Sequence, residues 1–252
     1  MGSAAARWSE LQSGRGIPPE ILARAPVSPW GHDPADFTPP DEPADTPSRA
    51  AALSLLAPAG TVLDVGCGGG DAAFALVGPL TEAIGVDVAQ DMLDVFEAAA
   101  DVRGVPARTV LGPWPDVAAD AGPADVVVSH HVLHNVVDLG PFVDALTAAA
   151  GRGVVVEMLA EHPMAWLDPL WERFHGLHRP PSATVDDAVA VLRERGVAPE
   201  VTLWDRELRL PHSPEWITRR LCLPPERAPE VAAAVAEIPP RTRTAATLVW
   251  RP

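Results

Sequence analysis

Val62-Leu63-Asp64-Val65-Gly66-Cys67-Gly68-Gly69-Gly70 is the stretch that decides the fold. Val62, Leu63 and Val65 suit a short strand in the middle of a parallel sheet, where both faces are covered. The glycines let the backbone turn tightly and approach a ligand closer than any side chain would allow. A helix predicted over 71–77 then turns its unpaired N–H groups into the same crevice. Strand, glycine turn and helix in this order cradle a mononucleotide-type ligand at the carboxyl end of a first strand. The dinucleotide fingerprint G-x-G-x-x-G is broken, because its third glycine, counted from Gly66, falls on Asp71. Asp64, two residues before the first glycine, would repel a pyrophosphate and favour a cation.

Outward from this turn the text alternates between strands and helices. Strands are predicted over 61–66, 82–87, 107–111, 124–129 and 153–158, with helices over 71–77, 89–101, 115–120 and 139–150 between them. Such alternation gives an α/β fold, a doubly wound and mostly parallel sheet with helices on both faces. Thr46-Pro47 supplies an N-cap and a first-turn proline for a helix over Ser48–Leu56. Thr184–Arg195 carries the helical apolar spacing Val185, Ala188, Val189 and Leu192. Val201–Leu208 and Thr244–Trp250 read as the last two of seven strands, with helices Pro214–Leu221 and Glu226–Glu237 between them.

The pattern hxDxGxG over Val62–Gly68 closely resembles motif I of class I S-adenosylmethionine (SAM)-dependent methyltransferases. Ser129-His130-His131-Val132-Leu133-His134-Asn135-Val136 resembles the signature S-x-x-V-L-H-H-V at the methyl-transfer end of that family. The resemblance covers residues 50–160 and implies a Rossmann-like sheet whose last two strands form an antiparallel hairpin. It implies SAM as cofactor and S-adenosylhomocysteine as product. The cofactor-binding positions it carries over are Asp64, Gly66, Cys67, Gly68, Asp87, Val88, Met92 and Ser129, with Asp87 accepting from the ribose hydroxyls. One departure follows the third strand, where the family often has Gly-Asp to meet the adenine amine. Here the residues are Gly112-Pro113-Trp114-Pro115. Adenine is then held either by apolar and stacking contacts with Trp114 or by Asp116.

Methyl transfer from a sulfonium is an in-line displacement achieved mostly by alignment and exclusion of water. A base is needed only for an acceptor that arrives protonated. The candidates for the catalytic end are His130, His131 and Glu157, all at carboxyl ends of strands where open sheets bind ligands. An ordinary imidazole there would give an acid limb at about pH 6–6.5. His134 reads as a hydrogen-bonding residue at a helix start. The alternative of a metal on His130, His134 and Glu157 rests on spacing alone; no metal is assigned. Trp166, Leu170, Trp171 and Phe174 fall at helical spacing, either as core or as walls of an acceptor pocket.

A chain of 252 residues with 47% apolar content has room for one core with additions. Residues 1–45 form a proline-rich N-terminal arm or cap that keeps Trp30 and Phe37, and 46–252 the SAM-binding domain with inserted helices near 160–180 and 211–238. The net charge of −15 argues against nucleic acid or an anionic membrane as partner. All nineteen cations are Arg; the absence of Lys and Tyr removes two candidate general bases. Two cysteines make no disulfide framework, no apolar run spans a membrane and no leader opens the chain, so a cytoplasmic location is expected. The expected partner is a small-molecule acceptor with an oxygen or nitrogen nucleophile, and a homodimer is left open. The rivals are a SAM-binding protein without transferase activity and a nucleotide-dependent oxidoreductase, the latter disfavoured by Asp64 and Asp71.

Overall fold

The structure is a computed structural model that describes residues 2–30, 33–206, 213–239 and 243–252. Seven strands build one sheet: β1 (Gly60–Val65), β2 (Leu80–Asp87), β3 (Ala107–Leu111), β4 (Ala124–His130), β5 (Ala150–Leu159), β6 (Glu200–Arg206) and β7 (Arg243–Trp250). Their order is β3-β2-β1-β4-β5-β7-β6, parallel except for β7, which runs antiparallel to both β5 and β6. The doubly wound fold and its terminal hairpin are therefore as expected. Predicted Glu207 and Leu208 of the sixth strand lie outside the described residues.

Alternation along the central strands separates two helical layers. Leu63, Val65, Ile84, Val86 and Val127 face one core, against helices Leu139–Ala149 and Val185–Glu194. Val62, Ala83, Val126, Val128 and Val155 face the other, against helices Pro47–Leu56 and Gln90–Arg103. Burial on both sides explains why these strands are nearly continuous in Val, Leu, Ile and Ala. Helix Pro47–Leu56 starts where its residues dictate: Thr46 Oγ1 accepts from the Arg49 N–H at 3.1 Å, and Pro47 occupies the first turn. Helix Val185–Glu194 opens on a capping box between Thr184 and Asp187.

The winding reverses between β1 and β4, and the crevice for a ligand opens at their carboxyl ends. Because β6 is parallel to β5, its end at Arg206 lies on the same edge of the sheet as Leu159. A third apolar cluster sits beyond that edge. It joins Ile17 and Ile21 of the arm, Leu167, Leu170 and Trp171, and Ile217 and Leu221. The Trp166–Phe174 segment belongs to this cluster. Trp8, in helix Ala4–Ser13, is wholly buried in the first core, where its Nε1 donates to the Val136 carbonyl at 2.8 Å. Among the described residues no helix is long and apolar enough to cross a membrane.

Candidate active site

The turn after β1 needs its glycines. Gly66 has φ +72°, and a Cβ there would run into the Val132 side chain; a Cβ on Gly69 would strike the Phe37 carbonyl. Asp87, at the end of β2, shapes the turn from the other side: its carboxylate accepts from the Gly68 N–H at 2.9 Å and the Ala89 N–H at 3.1 Å. Ser129 Oγ, fully buried, donates to the Val65 carbonyl at 2.9 Å and ties β4 to β1 at the mouth of the crevice. Asp64 is 1% exposed, and its Oδ2 accepts from the Ala73 N–H at 3.2 Å. Burial, and beyond it the charges of Asp71 and Asp87, push the Asp64 carboxyl up to about 7. Burial also pushes the Cys67 thiol upward, which suits a space-filling role.

A cleft of about 660 Å³ starts at this turn. Asp64, Gly66, Cys67 and Gly68 form one end, and His130, His131 and Glu157 the other. Its remaining walls include Asp36, Phe37 and Thr38 of the arm, Arg49 of helix Pro47–Leu56, and Trp204, Asp205 and Arg206 of β6. Asp87, Val88, Met92, Trp114 and Ser129 are not among the walls. Val88 is 69% exposed beside Asp87, and Met92 is buried at the start of helix Gln90–Arg103. Trp114 Nε1 donates to the Phe142 carbonyl at 3.2 Å, and the ring packs on the first core.

The β4–β5 register sets His130 beside Glu157 and so brings the catalytic candidates together. His131 takes a left-handed backbone, φ +62°, and its N–H donates to the Glu157 carbonyl at 2.7 Å. Such a conformation in a non-glycine residue is strained and is held by its surroundings. Its Nε2 lies 2.9 Å from Glu157 Oε1, and Arg206 Nη1 lies 2.9 Å from the same oxygen and also touches His131 Nε2. A single ring nitrogen serves one partner at a time: protonated it donates to Glu157, unprotonated it accepts from Arg206. Burial alone would raise Glu157, but the His131 hydrogen bond and the neighbouring histidine charges outweigh it and bring the carboxyl down to about 2. Burial pushes the His130 imidazole down to about 4, and its Nε2 is buried without a hydrogen-bond partner among the described residues. His130 is therefore neutral at pH 7.

His134 turns away from this group, with Nε2 3.1 Å from the Leu159 carbonyl. Among the described residues no three His, Cys, Asp or Glu are gathered so as to hold a metal ion. Arg206 is the site residue that sequence reading missed. The one signal for it was Glu157 itself, since a buried carboxylate requires a cation or donors; which strand supplies them is not written in the chain.

Residues 62–150, from β1 to the start of β5, match a family model described as a methyltransferase domain. No curated protein matches the chain in sequence. Solved structures share its fold at low identity. The YcgJ protein from Bacillus subtilis is 17% identical, with 81% of this chain and 97% of that one covered at a TM-score of 0.55. A putative methyltransferase from Bacillus halodurans is 18% identical, over 81% and 98%, at 0.57. The magnesium protoporphyrin IX methyltransferase from Synechocystis PCC 6803, with SAH bound, is 15% identical, over 81% and 82%, at 0.53. The stretch that is similar to a methyltransferase domain thus holds the glycine turn and the strands that flank it, within a sheet whose fold the solved structures share.

Proposed function

We propose that this protein transfers a methyl group from SAM to an oxygen or nitrogen nucleophile of a small molecule. The observation that carries the reading is the continuity of one cleft, from the glycine turn and buried Asp64 to the His130, His131 and Glu157 group. The residues fit the cofactor. A buried carboxylate raised to about 7 is ready to meet a cation, and the Gly66–Gly69 backbone leaves room for close approach. SAM would supply an activated methyl on a sulfonium. Asp64 would face its ammonium, and Asp87, which holds the turn through the Gly68 N–H, its ribose hydroxyls.

The chain's own part at the other end is to orient the acceptor and take its proton. His130, neutral and with an unpartnered Nε2, is the base this geometry favours. Glu157 and Arg206 fix the His131 ring beside it. Phe37 lies over the glycine turn and helps exclude water. A cytoplasmic location and the absence of nucleic-acid and membrane partners belong to the same reading, in keeping with the net charge of −15. The test is incubation with SAM and a metabolite extract, scored by mass spectrometry for methylated products. Calorimetry on the same protein decides the cofactor: SAM binding is expected, and NADH binding without SAM binding would overturn the reading. SAM binding with no product from any acceptor would leave a SAM-binding protein without transferase activity.

A further inference from the structure

Glu157, a buried carboxylate at the end of β5, is held from two sides. Toward the cleft, its Oε1 meets His131 Nε2 and Arg206 Nη1, each at 2.9 Å. Two donors fill that oxygen, which leaves Oε2 to be satisfied inside the core. On β7, Thr247 is the register partner of Glu157, so the two side chains share one face of the sheet. Helix Pro47–Leu56 packs on that face and lays Ser48 over the pair, with Ser48 Oγ 2.7 Å from Thr247 Oγ1. The Ser48 hydroxyl also bonds the Glu157 carboxylate. From β6, Trp204 Nε1 donates to Thr247 Oγ1 at 3.0 Å. Ser48 and Thr247 are both buried, so no solvent competes for these bonds.

Proton counting gives these bonds one direction. An indole N–H only donates, and an ionised carboxylate only accepts. Ser48 has a single hydroxyl proton; having given it to Glu157, it must accept from Thr247, which in turn accepts from Trp204. The order is therefore Trp204 to Thr247 to Ser48 to Glu157, with every donor pointing at the carboxylate. No hydroxyl or indole here releases its proton near neutral pH, so the chain carries none away. Its effect is to keep an ionised carboxylate in the core beside His131. Such a carboxylate favours the neutral ring form that carries its proton on Nε2, through a charge-assisted hydrogen bond.

We infer that Ser48, Thr247 and Trp204 are positioning residues that act through Glu157 to fix the neutral His131 ring as its Nε2–H tautomer. Nδ1 then keeps its lone pair and is the ring's acceptor. His131 lines the cleft beside the neutral His130, so the chain runs from the buried face of helix Pro47–Leu56 to the group that would receive the acceptor's proton. The role in turnover rests on the methyl-transfer reading; the hydrogen-bond chain and the tautomer do not.

The test is nitrogen NMR of the histidine rings in the full-length protein, near neutral pH, with the His131 signal assigned by its loss in His131→Gln. The Nε2–H form is expected in wild type. Ser48→Ala should move His131 toward a mixture with the Nδ1–H form, and Ser48→Thr, which returns the hydroxyl, should restore the wild-type signal. The effect should fade along the chain, so Thr247→Val shifts the ring less and Trp204→Phe least. Thr247→Val, nearly unchanged in shape, carries the test if Ser48→Ala does not fold. In the metabolite-extract assay Ser48→Ala should slow product formation about tenfold, the loss expected for one hydrogen bond to a charged group, with SAM affinity unchanged. An Nδ1–H ring in wild type would overturn the inference, as would the same spectrum, or the same rate, in wild type and every folded variant. Failure of the wild type to bind SAM, with the tautomer responding as stated, would count instead against the methyltransferase reading.

Discussion

Glu157 and Asp64 are both buried carboxyls of one cleft, yet their surroundings move them in opposite directions. Glu157 stands below its ordinary 4.5, at about 2, so its pairing stabilises the fold above about pH 4.5 and is lost as the pH falls toward 2. Glu157→Gln removes that charge from Arg206 and His131 and should cost about 3 kcal/mol in urea unfolding. A loss under about 0.5 kcal/mol would show that the pair is solvated. Asp64 stands above its ordinary 3.8, at about 7, so the ligand-free protein loses stability as the pH rises from 3.8 to about 7. A cationic cofactor favours the ionised form; SAM affinity should therefore rise as the pH increases through about 7 and level off above it. Asp64→Asn should flatten that profile while stabilising the ligand-free protein, and a wild-type Kd independent of pH would count against a charge role for Asp64. With His130 as base, the acid limb of kcat should lie near pH 4, below the value of an ordinary imidazole. A limb at about 6.5 would point away from His130.

At the scale of elements, the arm and β6 do more than the sequence disclosed. Phe37 of the arm lies against Gly68 and Gly69, at the glycine-turn end of the cleft. Phe37→Ala should accordingly weaken SAM by about tenfold, with little change in melting temperature because the residue is 37% exposed. Unchanged SAM affinity would make the contact incidental. Deleting residues 1–40 cannot test this cover, since it also removes Trp8, whose truncation to Ala alone should cost about 3–5 kcal/mol. Trp30, the other aromatic of the arm, is 54% exposed and stacks with Arg220 instead. The aromatic stripe Trp166, Leu170, Trp171 and Phe174 joins the third apolar cluster rather than the walls of the cleft. Helical spacing told which residues share a face; it could not tell what that face would meet.

For the molecule as a whole, a ligand that binds only the folded state adds stability by mass action. SAM at about a hundred times its Kd should contribute about 2.7 kcal/mol and raise Tm by roughly 5–10 °C, readable by scanning calorimetry. An unmoved Tm at saturating SAM would contradict binding to the native protein. The sequence alone determined what depends on local chemistry and period. β-Branched and apolar runs made the five parallel strands, glycines with positive φ made the ligand turn, and the place of Asp64 and Asp87 relative to that turn followed from strand length. Strand order in the terminal hairpin was legible through resemblance to the family. Only the tertiary structure decided which distant side chains meet. Arg206 reaches Glu157 from a strand 49 residues away, and Arg15 meets Asp168 across 153. Such pairings depend on where β7 inserts in the sheet and where the arm docks, and the energies that choose those positions are summed over whole apolar faces. No local pattern of residues encodes them, so the glycine turn of this protein was written in its sequence, whereas the far end of the cleft was settled by packing.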